Sequence, residues 1–333
     1  MNERMFNIAD GFGLEVSRMK KIRKGIYRVI TCDHQSFSLK RMPKRLARLK
    51  WTDQVLQRIR KRGVLISWRN PQTREGRKLY VLSSNGKPFV LTPWLSGREP
   101  SPTSLKDMRA CGAALARMHE SGKNEILSGM KYSRIGTWKS TLLKKHKFLK
   151  RKIRQAKRNE LRPSINSFVQ EHGAEILQYS NQARRLLRHS NYRKYCKKPG
   201  RFGVLSHGDG GPSNFICNAK GTHLIDFETL HIDLRAFDLY RVIYNSCKDY
   251  HFDFAIAKAI LNGYRQVAKL SKHDYELIQV WLRFPFTTYL VLAPFPRIPL
   301  NKKNLRWALH SERRIGAFLQ KLDKYAVKHS TSS

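Results

Sequence analysis

The sequence predicts an α+β fold in two lobes, a small antiparallel-sheet lobe with one main helix and a larger helical lobe after it. Three observations carry this. In a first lobe of residues 1–91, residues 24–91 are dense in short alternating runs separated by turn residues, the pattern of strands and hairpins. Residues 92–102, TPWLSGREPSP, hold three prolines and one glycine and read as a hinge. Residues 103–333 are dominated by helical periodicity, broken only by short strands around a polar run near 204–226.

The elements follow in order. Residues 15–22 add a strand ahead of a hairpin formed by 26–32 and 36–41 across Asp33-His34-Gln35. Pro43 opens a helix over 44–62, with Leu46, Leu49, Val55, Leu56 and Ile59 at helical spacing, and Gly63 ends it. Residues 64–68 read as a further strand. Residues 79–82 and 89–91 read as a second hairpin, because Asn85-Gly86 suits a tight turn. Beyond the hinge, 104–119 is amphipathic through Leu105, Met108, Cys111, Leu115 and Met118, and 164–187 repeats the pattern. Short strands are expected at 204–206, 215–217 and 223–226, with helices again from 239 to 325.

Composition limits the function classes. A hydrophobic fraction of 41% supports a proper core, and no apolar run approaches the length of a membrane span, 287–293 being far too short. The first twelve residues lack the basic flank and apolar core of a secretory signal. Five scattered cysteines with no C-x-x-C pair fit reduced thiols and argue against a zinc site. Sixty-six Lys and Arg against 24 acids give a formal net charge of +42, which attracts polyanions without choosing among them. Residues 144–158 carry nine Lys/Arg and no acid. That run is either a solvated helix face or a polyanion-docking helix, and without interleaved aromatics it does not suggest sequence-specific nucleic-acid reading.

The run LSHGDGGPSNFICNAKGTHLIDFE carries the chemistry. His207, Asp209 and Asn214 stand at H-x-D-x-x-x-x-N spacing, and Asp226 follows twelve residues after Asn214 behind the apolar pair Leu224-Ile225. Phosphoryl transfer from ATP needs a carboxylate to orient the acceptor and hard oxygen ligands for Mg²⁺ on the phosphates. Asp209, Asn214 and Asp226 supply that set in that order. A sheet-rich lobe, a hinge and a helical lobe with this motif make a protein-kinase-like layout.

HGDGGPSNF, LIDFE and AFDLYR resemble the aminoglycoside phosphotransferase and choline kinase superfamily. Within it, IYRVITCDHQSFSLKR, TPWLSGREP and ALARMHESGK are similar to the CotS-type spore coat family, over almost the whole length. The resemblance implies a catalytic role for Asp209, metal ligation by Asn214 and Asp226, and a bracing role for His207. It also implies that Asp238 holds the backbone N–H groups of the catalytic loop. Glu228 either shares the cavity of Asp226 or is a solvated acid. Lys40, in FSLK, resembles the strand lysine that contacts the α- and β-phosphates.

The chain departs from the protein-kinase pattern in two places. The 44–62 helix has no Glu to pair with Lys40, which leaves Asp53, Gln54 or Gln57 as the expected partner. No glycine-rich phosphate loop is present, and Gly25 alone occupies the corresponding turn, beside Arg23 and Lys24. Adenine is expected against 91–95, with Leu91 and Trp94 as contacts, while Pro93 has no N–H to give. Three functions are thereby open: an ATP- and Mg²⁺-dependent coat-associated kinase, a catalytically weak structural coat protein of the same fold, and an aminoglycoside- or choline-type small-molecule kinase. The resemblance also implies synthesis in the mother-cell cytoplasm, assembly into the spore coat, and partners among coat proteins or acidic polymers.

Overall fold

The computed structural model describes residues 3–293 and 298–330. The chain divides into two compact units, one of Met1–Pro100 with Ser213–Leu230 and one of Ser101–Pro212 with His231–Ser333. The division expected at 92–102 is therefore joined by two further crossings, because residues 213–230 belong with the first unit. Backbone pairing explains this: Arg98 bridges Cys217, and Ile66 bridges Leu224.

In the first unit a five-stranded antiparallel sheet has the spatial order Val16–Arg23, Ile26–Thr31, Ser36–Arg41, Pro88–Pro93, Val81–Leu82. Strand alternation sorts its residues. Phe37, Leu39, Phe89 and Leu91 join Met19 and Val29 in a buried cluster on one face. Ser38, Lys40, Val90 and Thr92, interleaved with them, line a cavity on the other. The helix Leu46–Lys61 buries Leu49, Val55, Leu56 and Ile59. Helix Glu3–Asp10 adds Met5, Ile8 and Ala9 to the sheet's core cluster.

Residues 64–68, expected as a strand of this sheet, make only a single bridge. Ser67 N–H donates to Leu224 O at 3.0 Å and Leu224 N–H to Leu65 O at 3.0 Å, so their backbone partner is the later hairpin. That hairpin, Phe215–Asn218 with Gly221–Leu224, is antiparallel. Gly97 permits its close approach, since a side chain there would meet Cys217 O at 2.5 Å.

The second unit is helical, with one two-stranded antiparallel sheet, Gly203–Ser206 with His231–Leu234. Ser104 caps helix Leu105–Ser121 by accepting from Asp107 N–H. This helix packs on Phe254–Arg265 through two glycines. Gly112 lies against Ile260 O and Gly263 against Arg109 O, where any Cβ would collide with backbone. The close crossing sets His119 of the first helix beside Tyr264 of the second, with His119 Nδ1 and the Tyr264 hydroxyl 2.8 Å apart. Helices Trp138–Lys157, Pro163–His189, Arg235–Cys247 and Lys272–Arg283 complete the surroundings of the strands, and Ser271 and Asp274 form a capping box on the last of these. Helix Trp138–Lys157 buries Leu142, Leu149, Ile153 and Ala156 and leaves most of its basic side chains exposed. Among the described residues no helix is long and apolar enough to cross a membrane.

Candidate active site

The first unit holds a cavity of about 330 Å³ whose wall runs from apolar to charged. Ile22, Ile26, Val90, Ile216 and Ile225 make the apolar part, and Arg23, Lys40, Asp226 and Glu228 the charged part. Binding sites for small molecules are mostly apolar with a few placed polar groups, and about 300 Å³ is enough for one.

Lys40 reaches the charged part because Ser36–Arg41 alternates, sending Phe37 and Leu39 into the core and Lys40 to the cavity face. Its Nζ donates to Asp226 Oδ1 and lies 3.2 Å from Glu228 Oε2. Arg23 Nη2 donates to Asp226 Oδ2 at 3.1 Å. Arg23 is largely exposed, so that contact contributes little, whereas Lys40 and Asp226 are about six-sevenths shielded, at 14% and 15% exposure. Asp226 stands at φ 67°, ψ 66°, a left-handed conformation unusual for a residue with a side chain. Ile225 N–H donates to Asn214 O at 3.1 Å, which ties Asn214 to the residue before Asp226.

Two carboxylates and an amide are hard oxygen donors. They suit a small divalent cation that keeps few protein ligands and takes the rest from phosphate and water. Among the described residues no cluster of three His, Cys, Asp or Glu side chains offers an all-protein metal cage. The carboxylates of Asp226 and Glu228 in the cavity wall therefore fit a divalent cation held on a nucleotide, and Asn214 is tied to the same segment through its backbone carbonyl.

Two sequence expectations change here, those for Asp53 and Leu91, and two more residues, Trp94 and Gly25, are placed. Asp53 does not meet Lys40. Its carboxylate accepts from Arg69 Nε at 2.7 Å, Arg69 Nη2 at 2.5 Å and Trp68 Nε1 at 2.8 Å, a fork that occupies both oxygens. Leu91 points into the core, and its neighbours Val90 and Thr92 face the cavity instead. Trp94 lines the cavity, but its backbone N–H donates to Ser36 O at 2.9 Å, so it contributes its ring, which has the Arg28 guanidinium 5.0 Å above it. Gly25, at φ +79°, makes the turn between Val16–Arg23 and Ile26–Thr31, and its carbonyl accepts from Arg41 N–H; its neighbour Arg23 is the residue that reaches the cavity wall. Of the hinge carbonyls, Pro93 O accepts from the Ser67 hydroxyl at 2.9 Å.

The second unit holds Asp209, His207 and Asp238. Asp238 lies in the first turn of Arg235–Cys247, fully buried, and gathers the loop before Asp209. Its oxygens accept from Ser206 Oγ at 2.9 Å, His207 N–H at 2.7 Å and Gly208 N–H at 2.8 Å, and His119 Nε2 lies 3.0 Å away. Burial pushes this carboxyl up, but the His119 bond, the imidazole charges and the Gly208 N–H outweigh it and hold it well below the usual carboxylate range. Gly208 sits at φ +82°, where its N–H turns to Asp238. Asp209 N–H donates to His207 Nδ1 at 3.4 Å, a long contact, and Arg241, one helical turn after Asp238, pairs with the Asp209 carboxylate.

His119, Arg241 and Ser206 are functional neighbours that the sequence reading did not single out as site residues. The signal for two of them was present: His119 ends ALARMH, and Arg241 stands three residues after Asp238 in AFDLYR, on the same helix face.

A family profile described as the phosphotransferase enzyme family, APH, matches residues 25–271. No curated protein sequence matches significantly. Among solved structures, an aminoglycoside phosphotransferase from Alicyclobacillus acidocaldarius subsp. acidocaldarius DSM 446 superposes with a TM-score of 0.76 at 17% identity, over 97% of this chain and 96% of that one. The spectinomycin phosphotransferase APH(9)-Ia, in complex with ADP and spectinomycin, gives 0.63 at 13% identity, over 92% and 95%. The amicoumacin kinase hAmiN, in complex with AMP-PNP, Ca²⁺ and Ami, gives 0.59 at 14% identity, over 98% and 94%. At these identities the likeness is one of fold.

Proposed function

The chain belongs to the phosphotransferase enzyme family and has its kinase-like fold, and on that premise we propose that it transfers the γ-phosphoryl group of ATP, with Mg²⁺, to a hydroxyl acceptor. The observation that carries this reading is the meeting of Lys40, Asp226 and Glu228 at the charged part of an otherwise apolar cavity. Adenine fits the Ile and Val wall, and the phosphates fit the end where Lys40 and Arg23 supply positive charge. Mg²⁺, when bound, neutralises charge on the phosphates. Asp226 is its main ligand, with Asn214 and Glu228 as the other donors.

Asp209 is the acceptor-orienting carboxylate. In the transfer the bond between the γ-phosphorus and the ADP oxygen breaks and a bond from the acceptor oxygen to that phosphorus forms. The acceptor proton passes to Asp209 and from there to solvent. A loose transition state makes positioning matter more than base strength, and Asp238 provides it by fixing the loop through His207 and Gly208.

We further place this activity in the spore coat, with synthesis in the mother-cell cytoplasm and coat proteins or acidic polymers as partners. The similarity of IYRVITCDHQSFSLKR, TPWLSGREP and ALARMHESGK to the CotS-type family supports this, and so does a net charge of +42. A second reading, a coat protein with weak turnover, is favoured by one observation: the only acid of the Leu46–Lys61 helix is engaged by Arg69 and supports no lysine. Radiolabelled ATP incubated with the protein, Mg²⁺ and extracted coat material decides between them. Label transfer by wild type that Asp209→Asn abolishes while still binding ATP supports the kinase; ATP binding without transfer leaves the structural role.

A further inference from the structure

A second cavity, of about 470 Å³, lies in the helical unit. Gly208 and Arg241 line it, and Arg241 pairs with Asp209, so the cavity adjoins the residue that would orient the acceptor. Its wall is aromatic: Trp138, Phe237, Tyr240, Trp281 and Phe286. Trp138 stacks on Tyr192 and meets Trp281 edge-on, and Tyr240 stacks on Trp281, so the rings form one rigid panel.

The charges in that wall are unequal. Arg134, Lys145 and Arg241 bring three cations, and Asp233 is the one carboxylate among the described lining residues. Asp233 is 1% exposed and accepts from Trp138 Nε1 at 3.0 Å and from Leu234 N–H at 2.8 Å. Burial pushes its carboxyl up, and its oxygens are already taken by donors within the wall. Lys145 is held over the Tyr289 ring, with its Nζ 3.9 Å from the centroid, and over Phe286 at 5.1 Å.

We propose that this cavity binds the acceptor, and that the acceptor is an anionic sugar unit: a sugar whose apolar face lies against Phe237 and Phe286, the half-buried rings of the wall, and whose acid group is met by Lys145 and Arg134. A cationic amino sugar would meet Lys145 and Arg134 as like charges, while the Asp209 carboxylate beside the cavity is already paired with Arg241. The inference rests on the phosphoryl-transfer reading, but the binding itself is measurable alone.

The test uses the full-length protein and titrates glucuronate, glucose 6-phosphate, glucose and kanamycin, read by tryptophan fluorescence and calorimetry. Glucuronate or glucose 6-phosphate is expected to bind at least about tenfold more tightly than glucose, and kanamycin not to bind. The two acids distinguish a carboxylate from a phosphate as the recognised group. Lys145→Met is expected to erase about tenfold of that preference and Lys145→Arg to restore most of it. Kanamycin binding as tightly as either acid, or Lys145→Met leaving the preference intact in a folded protein, overturns the proposal. Binding of Mg-ATP, followed separately by thermal shift, reports on the phosphoryl-transfer reading. Its loss with acid-sugar binding retained would sink that reading and leave this site standing.

Discussion

Lys40 and Asp226 form an ion pair across 186 residues of sequence, joining the third strand of the sheet to the turn that follows Leu224-Ile225. The lysine thus takes its carboxylate partners from the LIDFE segment and not from the helix after it. Both oxygens of Asp226 touch cations of this chain, and an ionised carboxylate retains further lone pairs for a metal.

Replacing Asp53 with Asn tests that change of partner. The variant loses a charge-assisted fork to Arg69 and is expected to lose about 1–3 kcal/mol of stability in denaturant unfolding. ATP affinity is expected to stay within about twofold of wild type, because Lys40 is not its partner. A large fall in ATP affinity with stability unchanged would restore the protein-kinase pairing.

Removal of Asp238 has a different signature. Asp238→Ala leaves the N–H groups of His207 and Gly208 and the Ser206 hydroxyl without a buried acceptor, at a cost of about 3–5 kcal/mol. The same network gives an acid sensitivity. The folded carboxyl is depressed, so its contribution is present above the ordinary Asp range and is lost as pH falls through the folded value. Unfolding midpoints of wild type and variant are expected to converge in strong acid.

Glu312 carries the opposite sign. It is buried, accepting from Thr288 N–H at 3.0 Å and Thr288 Oγ1 at 2.6 Å, and burial pushes its carboxyl up to about 7. A folded value above the unfolded 4.5 means that the native state holds a proton the unfolded chain has released. Stability should therefore fall as pH rises from 4.5 to about 7. Glu312→Gln, which cannot ionise, is expected to flatten that limb when unfolding midpoints are compared across the window. An identical slope in both proteins would contradict the assignment.

Anionic-sugar binding should weaken in alkali. Burial, the Arg241 charge and the Lys144 charge lower the Lys145 ammonium to about 8. Around it, Arg241 stays charged and burial pushes the Tyr289 hydroxyl up, so Lys145 is the group facing the cavity that titrates there. Glucuronate affinity measured from about pH 7 to about pH 9 should decline in wild type and hold in Lys145→Arg.

Local patterns made much of this legible. Period-two alternation in FSLKR fixed which face Lys40 takes, and the Asn-Gly turn fixed a hairpin. The spacing of Met5, Ile8, Ala9 and Phe12 is helical too, and the helix Glu3–Asp10 could have been read from it. What local patterns do not carry is the choice among distant partners. Asp53 finds Arg69 because Trp68 and Arg69 lie beside the helix, and nothing in KWTDQ announces that. Residues 64–68 alternate like a strand but pair with residues more than 150 positions later. His119 looks like an ordinary helix-end residue until two glycines bring Tyr264 beside it and Asp238 lies within bonding reach.

The most direct measurement is the thermal shift produced by Mg-ATP in wild type and in Asp226→Ala. A nucleotide at about a hundredfold excess over its dissociation constant should stabilise the wild type by about 2.7 kcal/mol, and the variant should show almost none of this. An equal shift in both proteins, or no shift in wild type, would contradict nucleotide binding at Lys40 and Asp226.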